Sequence, residues 1–216
     1  CGTHIAVRVC SAGFPTAIFS ALMCVSTIVL NLILVVYGNA PVAAIGIVFK
    51  ANMFITFLQM GLANGVQPIF GYSYGAGDIK RFADTERFTK LCCFVVGLAA
   101  TALYFFLREP IIGLFVGDSD VITYGVQMLI AYMLSGPFIG SLFVNMNCMQ
   151  SVGRALPATV LSVLRQGLLL IPLLYLLNVI AGLNGVIYGQ SITDYITIIL
   201  SCVVWRRIRR GLEQRT

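Results

Sequence analysis

The sequence predicts an all-α integral membrane protein, a six-transmembrane-helix bundle, and three observations carry that prediction. Hydrophobic residues make up 59% of the 216 residues and charged residues 10%, with a mean hydropathy of +0.94, whereas charged residues are roughly 25% of a soluble domain. The apolar residues gather into six runs, at 14–37, 42–72, 88–107, 121–149, 158–177 and 185–205, and roughly 20 residues cross a hydrocarbon core about 30 Å thick. The runs are continuous rather than alternating, which excludes barrel strands. Without water, each run must satisfy its own backbone as a helix.

Each element has its own signals. Gly13-Phe14-Pro15 opens the first span, with Pro15 where a missing N–H costs nothing. Gly38-Asn39-Ala40-Pro41 is a tight turn. The second run would extend about 45 Å as a helix, more than the bilayer core requires, so a kink or break is expected near Pro68, followed by a flexible turn from Gly71 to Gly77. Asp78 caps a short amphipathic helix, with Ile79 and Phe82 facing lipid and Lys80, Arg81 and Arg87 facing phosphate. The third span ends at Arg108-Glu109-Pro110, and Ser119 or Asp120 caps the fourth, which carries Gly136-Pro137 in its middle and closes at Gly153. Pro157 opens the fifth span and Pro172 kinks it.

Charge sets the orientation. Arg8, Lys80, Arg81, Arg87, Lys90, Arg154 and the tail arginines 206, 207, 209, 210 and 215 fall on one side, eleven cations against Arg108 alone on the other. By the positive-inside rule both ends are cytoplasmic in the cell (inner) membrane. The chain divides into a cytoplasmic N-terminal segment (1–13), a six-helix lobe (14–205) and a basic cytoplasmic tail (206–216). A net charge of +6 here reads as anchoring to the lipid bilayer, not as nucleic-acid binding, because no aromatic-rich basic surface exists to stack bases. The chain starts at Cys1 and shows no signal peptide, so an incomplete polypeptide is expected.

Enzyme readings fare badly. His4 is the only histidine, so no Ser/His/Asp set is possible, and no G-x-x-x-x-G-K-[ST] loop exists for ATP. The seven cysteines include no C-x-x-C pair and behave as small apolar residues, with no metal or disulfide framework expected. No organic cofactor is expected.

Three ionisable residues lie deep in the runs: Lys50, Arg165 and Asp194. A charge at a helix centre costs ~2.5–3.5 kcal/mol on insertion scales, so each needs a partner or water. At ~1.5 Å per residue, Arg165 lies about 12 Å from the inner mouth, and Asp194 and Lys50 about 18 Å. Both cations can reach Asp194. Arg165 is favoured because its span precedes that of Asp194 directly, while Lys50 can instead snorkel outward. Gln59, Asn64, Gln67, Asn145, Asn147 and Gln150 cluster in the inner halves of spans two and four, where amides either hold helices together or bond substrate weakly. Met53, Phe54, Phe57, Met60, Tyr132 and Met133 either pack between helices or line a plastic cavity.

Gly61-Leu-Ala-Asn-Gly-Val-Gln-Pro-Ile-Phe-Gly-Tyr-Ser-Tyr-Gly-Ala-Gly77 resembles the segment joining the eighth helix to its cytoplasmic loop in the multidrug and toxic compound extrusion (MATE) family. Similar pieces follow in order: Gly13-x-Pro15 before a helix bearing Asn31, Leu164-Arg165-Gln166 with Ile171-Pro172-Leu173, and Tyr188-Gly189-Gln190-Ser191-Ile192-Thr193-Asp194. The resemblance spans about residues 10–205. It implies the second of two six-helix lobes in a chain of about twelve helices. It further implies export of small organic cations coupled to H⁺ or Na⁺, with the missing N-terminal lobe of the same polypeptide, or a second copy, as partner. Sodium-coupled members carry acidic residues in their seventh and tenth helices. Here span one has none and span four only Asp120 at its mouth, so the coupling carboxylate is expected on the first lobe. Ser191 stands where many members have proline, which changes a local kink. The alternatives are a flippase for lipid-linked saccharide, which needs a more cationic cavity than Lys50 and Arg165 provide, and a non-transporting membrane subunit, whose polar residues contact only one another.

Overall fold

Every apolar run is helical wherever the computed structural model describes it, across residues 21–213. His4, Arg8, the Gly13-Phe14-Pro15 opening and Arg215 lie outside the described residues. The helices are α1 (Ala21–Val35), α2 (Asn39–Gly75), α3 (Ile79–Phe106), α4 (Arg108–Gly113), α5 (Ser119–Met133), α6 (Gly136–Ser151), α7 (Ala155–Val163) and α8 (Leu170–Glu213), with a π-helical turn at Leu164–Leu168 between the last two. Among the described residues, α2, α3 and the stretch Ala155–Gly211 are each long and apolar enough to cross a membrane, and α5 with α6, bent by 46°, makes a further span.

The stretch Ala155–Gly211 is a hairpin. At Gly182 the backbone leaves the helix (φ 58, ψ −138). Beyond it Gly185 lies against Leu177, Gly189 against Leu174, and Asp194 against Arg165. Contacts that step back along one limb as they advance on the other define antiparallel spans five and six. With α1 they complete the six-helix bundle.

Several boundaries differ from expectation. α2 continues through Pro68 to Gly75 without a break, and the turn is confined to Ala76 and Gly77 (φ 72). No separate amphipathic helix precedes span three. Asp78 does cap, accepting from Arg81 N at 2.9 Å, but the helix it starts runs unbroken to Phe106. Phe82 faces inward, not lipid: it is 5% exposed and packs between Phe70 and Trp205 at 5.2 and 5.9 Å. Burying two more rings outweighs the lipid contact it gives up. Asp118, one residue before the expected pair, caps α5 by accepting from Asp120 N at 3.0 Å. Gly153 (φ 77) closes α6, and Arg154 N bonds back to Met149 O. α8 carries the arginines 206, 207, 209 and 210 on continuous helix.

Two hydrophobic clusters fill the bundle. One, holding Leu34, Ile45, Ile112, Leu129 and Leu174, lies toward the Gly38 and Gly182 turns. The other, holding Phe70, Phe82, Met149, Val152 and Trp205, lies toward the Ala76 and Gly153 turns, here termed the basic end because Lys80, Arg81 and Arg206 flank it. Between the two clusters runs a layer of buried polar groups.

Candidate functional site

That layer is organised by the interruption of span four. Pro137 sits in the first turn of α6 and has no N–H to give, and at the 46° bend between α5 and α6 backbone carbonyls become accessible to further donors. The bilayer offers no water, so side chains of neighbouring helices must supply donors. Gln59 Nε2 on α2 donates to Gly136 O at 2.8 Å. On α8, Tyr195 donates its hydroxyl to Leu134 O at 2.6 Å and Ser191 donates to Ala131 O. A proline at 191 has no such donor, so serine here fastens span six to the bend in span four.

Asp194 stands beside the same bend and is 3% exposed. Arg165 Nε donates to its Oδ1 at 2.7 Å, Gln190 Nε2 donates to the same oxygen at 3.2 Å, and Ser135 Oγ donates to Oδ2 at 3.0 Å. Ser135 has one proton, and the charged acceptor outcompetes Tyr132 O at 3.2 Å. Arg165 belongs to the π-helical turn, where Leu169 N reaches Leu164 O, five residues back, at 2.8 Å. The extra residue in that turn rotates Arg165 relative to a regular helix. Its guanidinium also lies 6.0 Å from the Phe143 ring centre. One carboxylate thus ties together spans four, five and six.

The amides form cross-links between α2 and α6. Asn147 donates to Asn64 at 3.0 Å and Gln67 to Gln150 at 3.2 Å, two rungs three residues apart on each helix. Asn145 is fully buried and donates to Ser201 Oγ on α8 at 3.1 Å. Gln59 is likewise fully buried, and Tyr132, 4% exposed, stacks edge-on to Phe49 at 5.8 Å. Gln59, Asn145 and Tyr132 therefore face neighbouring helices, while Asn64 and Gln150 sit at the surface of the lobe. Asn31 is half-buried on α1.

Lys50 does not reach Asp194. It is exposed, with no ion-pair partner among the described residues. Phe54, Phe57 and Asn64 follow it at helical spacing on the same outward face of α2, where Met53 and Met60 are also exposed. Met133, like Tyr132, lies in the core.

A second buried carboxylate escaped the sequence reading. Glu86 on α3 is 4% exposed, with Lys90 Nζ at 2.5 Å, Trp205 Nε1 donating at 2.8 Å and Arg209 Nη1 at 3.4 Å. It joins the start of span three to the end of span six. The signal that could have found it is the stripe Phe82, Glu86, Thr89, Cys93, Gly97, the buried side of α3, which repeats every three or four residues.

Helices throughout the described residues, with a layer of buried charge and amide groups inside the bundle, define a multi-pass membrane protein. A family model described as MatE matches residues 15–176, and the chain belongs to that family. It is 30% identical over 209 residues to the Multidrug export protein MepA of Staphylococcus saprophyticus, which covers 97% of this chain and 46% of that protein. Its fold superimposes on a solved outward-facing conformation of a multidrug resistance MATE family transporter of the MOP superfamily with a TM-score of 0.85 at 18% identity, covering 100% of this chain and 49% of the other. An inward-facing conformation of such a transporter gives 0.87 at 17% identity, covering 99% and 50%. The chain spans about half the length of the relatives it matches.

Proposed function

We propose that this chain is the second lobe of a MATE-type secondary antiporter that exports amphipathic organic cations against an inward gradient of H⁺ or Na⁺. The observation that carries the reading is the extent of the match. Nearly the whole chain aligns with 46% of a protein named for multidrug export. One lobe provides one wall of a cavity, and alternating access needs two bodies rocking against each other. The companion is the first lobe of the same polypeptide or a second copy. The near-equal likeness to outward- and inward-facing structures, 0.85 and 0.87, supports a lobe that moves as one body. The charge bias supports both ends facing the cytoplasm from the cell membrane. Both buried carboxylates, Glu86 and Asp194, are already matched by lysine or arginine, which supports a coupling carboxylate on the companion lobe. Arg165 is committed to Asp194, so Lys50 alone would give a flippase too little positive charge to hold a lipid-linked saccharide.

The test is efflux from vesicles under an imposed H⁺ or Na⁺ gradient. The two-lobe protein should expel ethidium, and residues 1–216 alone should not. Gradient-driven efflux by a monomer of residues 1–216 would overturn the half-transporter reading. No efflux of any of several cations by the two-lobe protein would move the assignment to the flippase.

A further inference from the structure

A groove of about 220 Å³ opens between α3 and α5. Its walls are apolar side chains, among them Phe105, Leu129, Met133 and Leu134, and Arg108 stands at its mouth. Leu134, 48% exposed, marks the deep end beside the bend in span four. Thr101, another lining residue, lies seven positions before Arg108, so the groove reaches about 10 Å inward from the guanidinium. The groove therefore runs from the membrane interface toward its midplane, the path a lipid tail takes.

The charge at its mouth says what the tail is attached to. Arg108 is the one lysine or arginine at the end opposite the basic end among the described loops. Its guanidinium lies 4.8 Å from the Phe105 ring centre and has no ion-pair partner among the described residues, although Glu109, Asp118 and Asp120 are near in sequence. The other polar group near the mouth, Tyr104 hydroxyl, already donates to Ala51 O at 3.2 Å. An unspent planar cation over an aromatic ring, at the head of an apolar groove, matches a phosphodiester followed by an acyl chain. We infer that this groove is a phospholipid site, with the phosphate on Arg108 and one acyl chain lying between α3 and α5 against the bend of span four. The site is independent of what the lobe transports.

Photo-crosslinking tests it without any transport assay. The two-lobe protein is placed in nanodiscs of phosphatidylcholine doped with phosphatidylglycerol bearing a diazirine in mid-chain, illuminated, and mapped by peptide mass spectrometry. Adducts should concentrate on Phe105, Ile130 and Leu134. Arg108→Gln should lower them about 5-fold, from the worth of one arginine at an interface, and Arg108→Lys should retain most. A diacylglycerol carrying the same diazirine but no phosphate should label weakly and be indifferent to Arg108. Leu134→Trp, which fills the groove from an exposed position, should displace the lipid, and it serves where Arg108→Gln is poorly expressed. Adducts spread evenly over outward residues such as Phe54 and Phe106, or undiminished in both Arg108→Gln and Leu134→Trp, would overturn the site.

Discussion

Glu86 and Asp194 are the two buried carboxylates among the described residues, 4% and 3% exposed, and they are held by similar partners at different depths. Asp194 lies in the middle layer, bound by Arg165 from the adjoining span and by Ser135 at the bend. Its partners have no water to turn to, and the arginine side chain is itself only 14% exposed. Glu86 lies near the basic end, where Lys90 and Arg209 remain 27% and 29% exposed and can exchange the carboxylate for water or lipid phosphate. The two sites use the same chemistry, but only at Asp194 is the partner irreplaceable. The middle layer is a fastening, whereas the basic end is a clasp that solvent can share.

The largest effect should follow from breaking the fastening. Arg165→Ala leaves a buried carboxylate without its counter-charge and should cost about 3–5 kcal/mol, read as a fall in melting temperature or in folded yield. Adding Asp194→Asn to that variant should recover part of the loss, and purely additive losses would break the distinction between the two sites. Next comes Gly97→Ala, which probes how tightly the middle layer is packed. A Cβ there would stand 2.8 Å from Gly136 O and 2.9 Å from Pro137 Cα, backbone that cannot rotate away. The overpacking should cost about 1–3 kcal/mol, while Gly61→Ala, with nothing within 4 Å, should be neutral in the same melting experiment. Smallest is Glu86→Gln, which keeps an acceptor for Trp205 and releases two half-exposed cations, a change of about 1 kcal/mol. A Glu86→Gln loss as large as that of Arg165→Ala would show that the basic end is no less closed than the middle.

The comparison also explains what the sequence revealed. Arg165 and Asp194 stand alone in apolar runs, where the cost of an unpaired charge makes a partner obligatory. Glu86 sits among Lys80, Arg81, Arg87 and Lys90, where an acid reads as a solvated counter-charge and only the period of the buried stripe betrays it. The spans were legible from hydropathy because backbone satisfaction in lipid leaves a single solution. The Gly136-Pro137 interruption was visible too, but not the residues that cap it, since Gln59, Ser191 and Tyr195 come from helices whose rotation no local pattern fixes. The π-helical turn at Leu164–Leu168 left no mark that composition could show, and α2 ran through Pro68, an exposed position on a helix packed against α3 and α6.

If the middle layer fastens spans four, five and six, the lobe should move as one body while its companion rocks against it. The direct measurement is a spin-label distance by double electron–electron resonance in the two-lobe protein, with labels on Ala76→Cys and Arg154→Cys in a cysteine-free background. Both positions lie in exposed turns at the basic end. A single distance distribution, unchanged between conditions that favour the outward- and the inward-facing forms while a pair spanning the two lobes shifts, is the predicted result. A shift of the Ala76–Arg154 distance comparable to that between the lobes would contradict it.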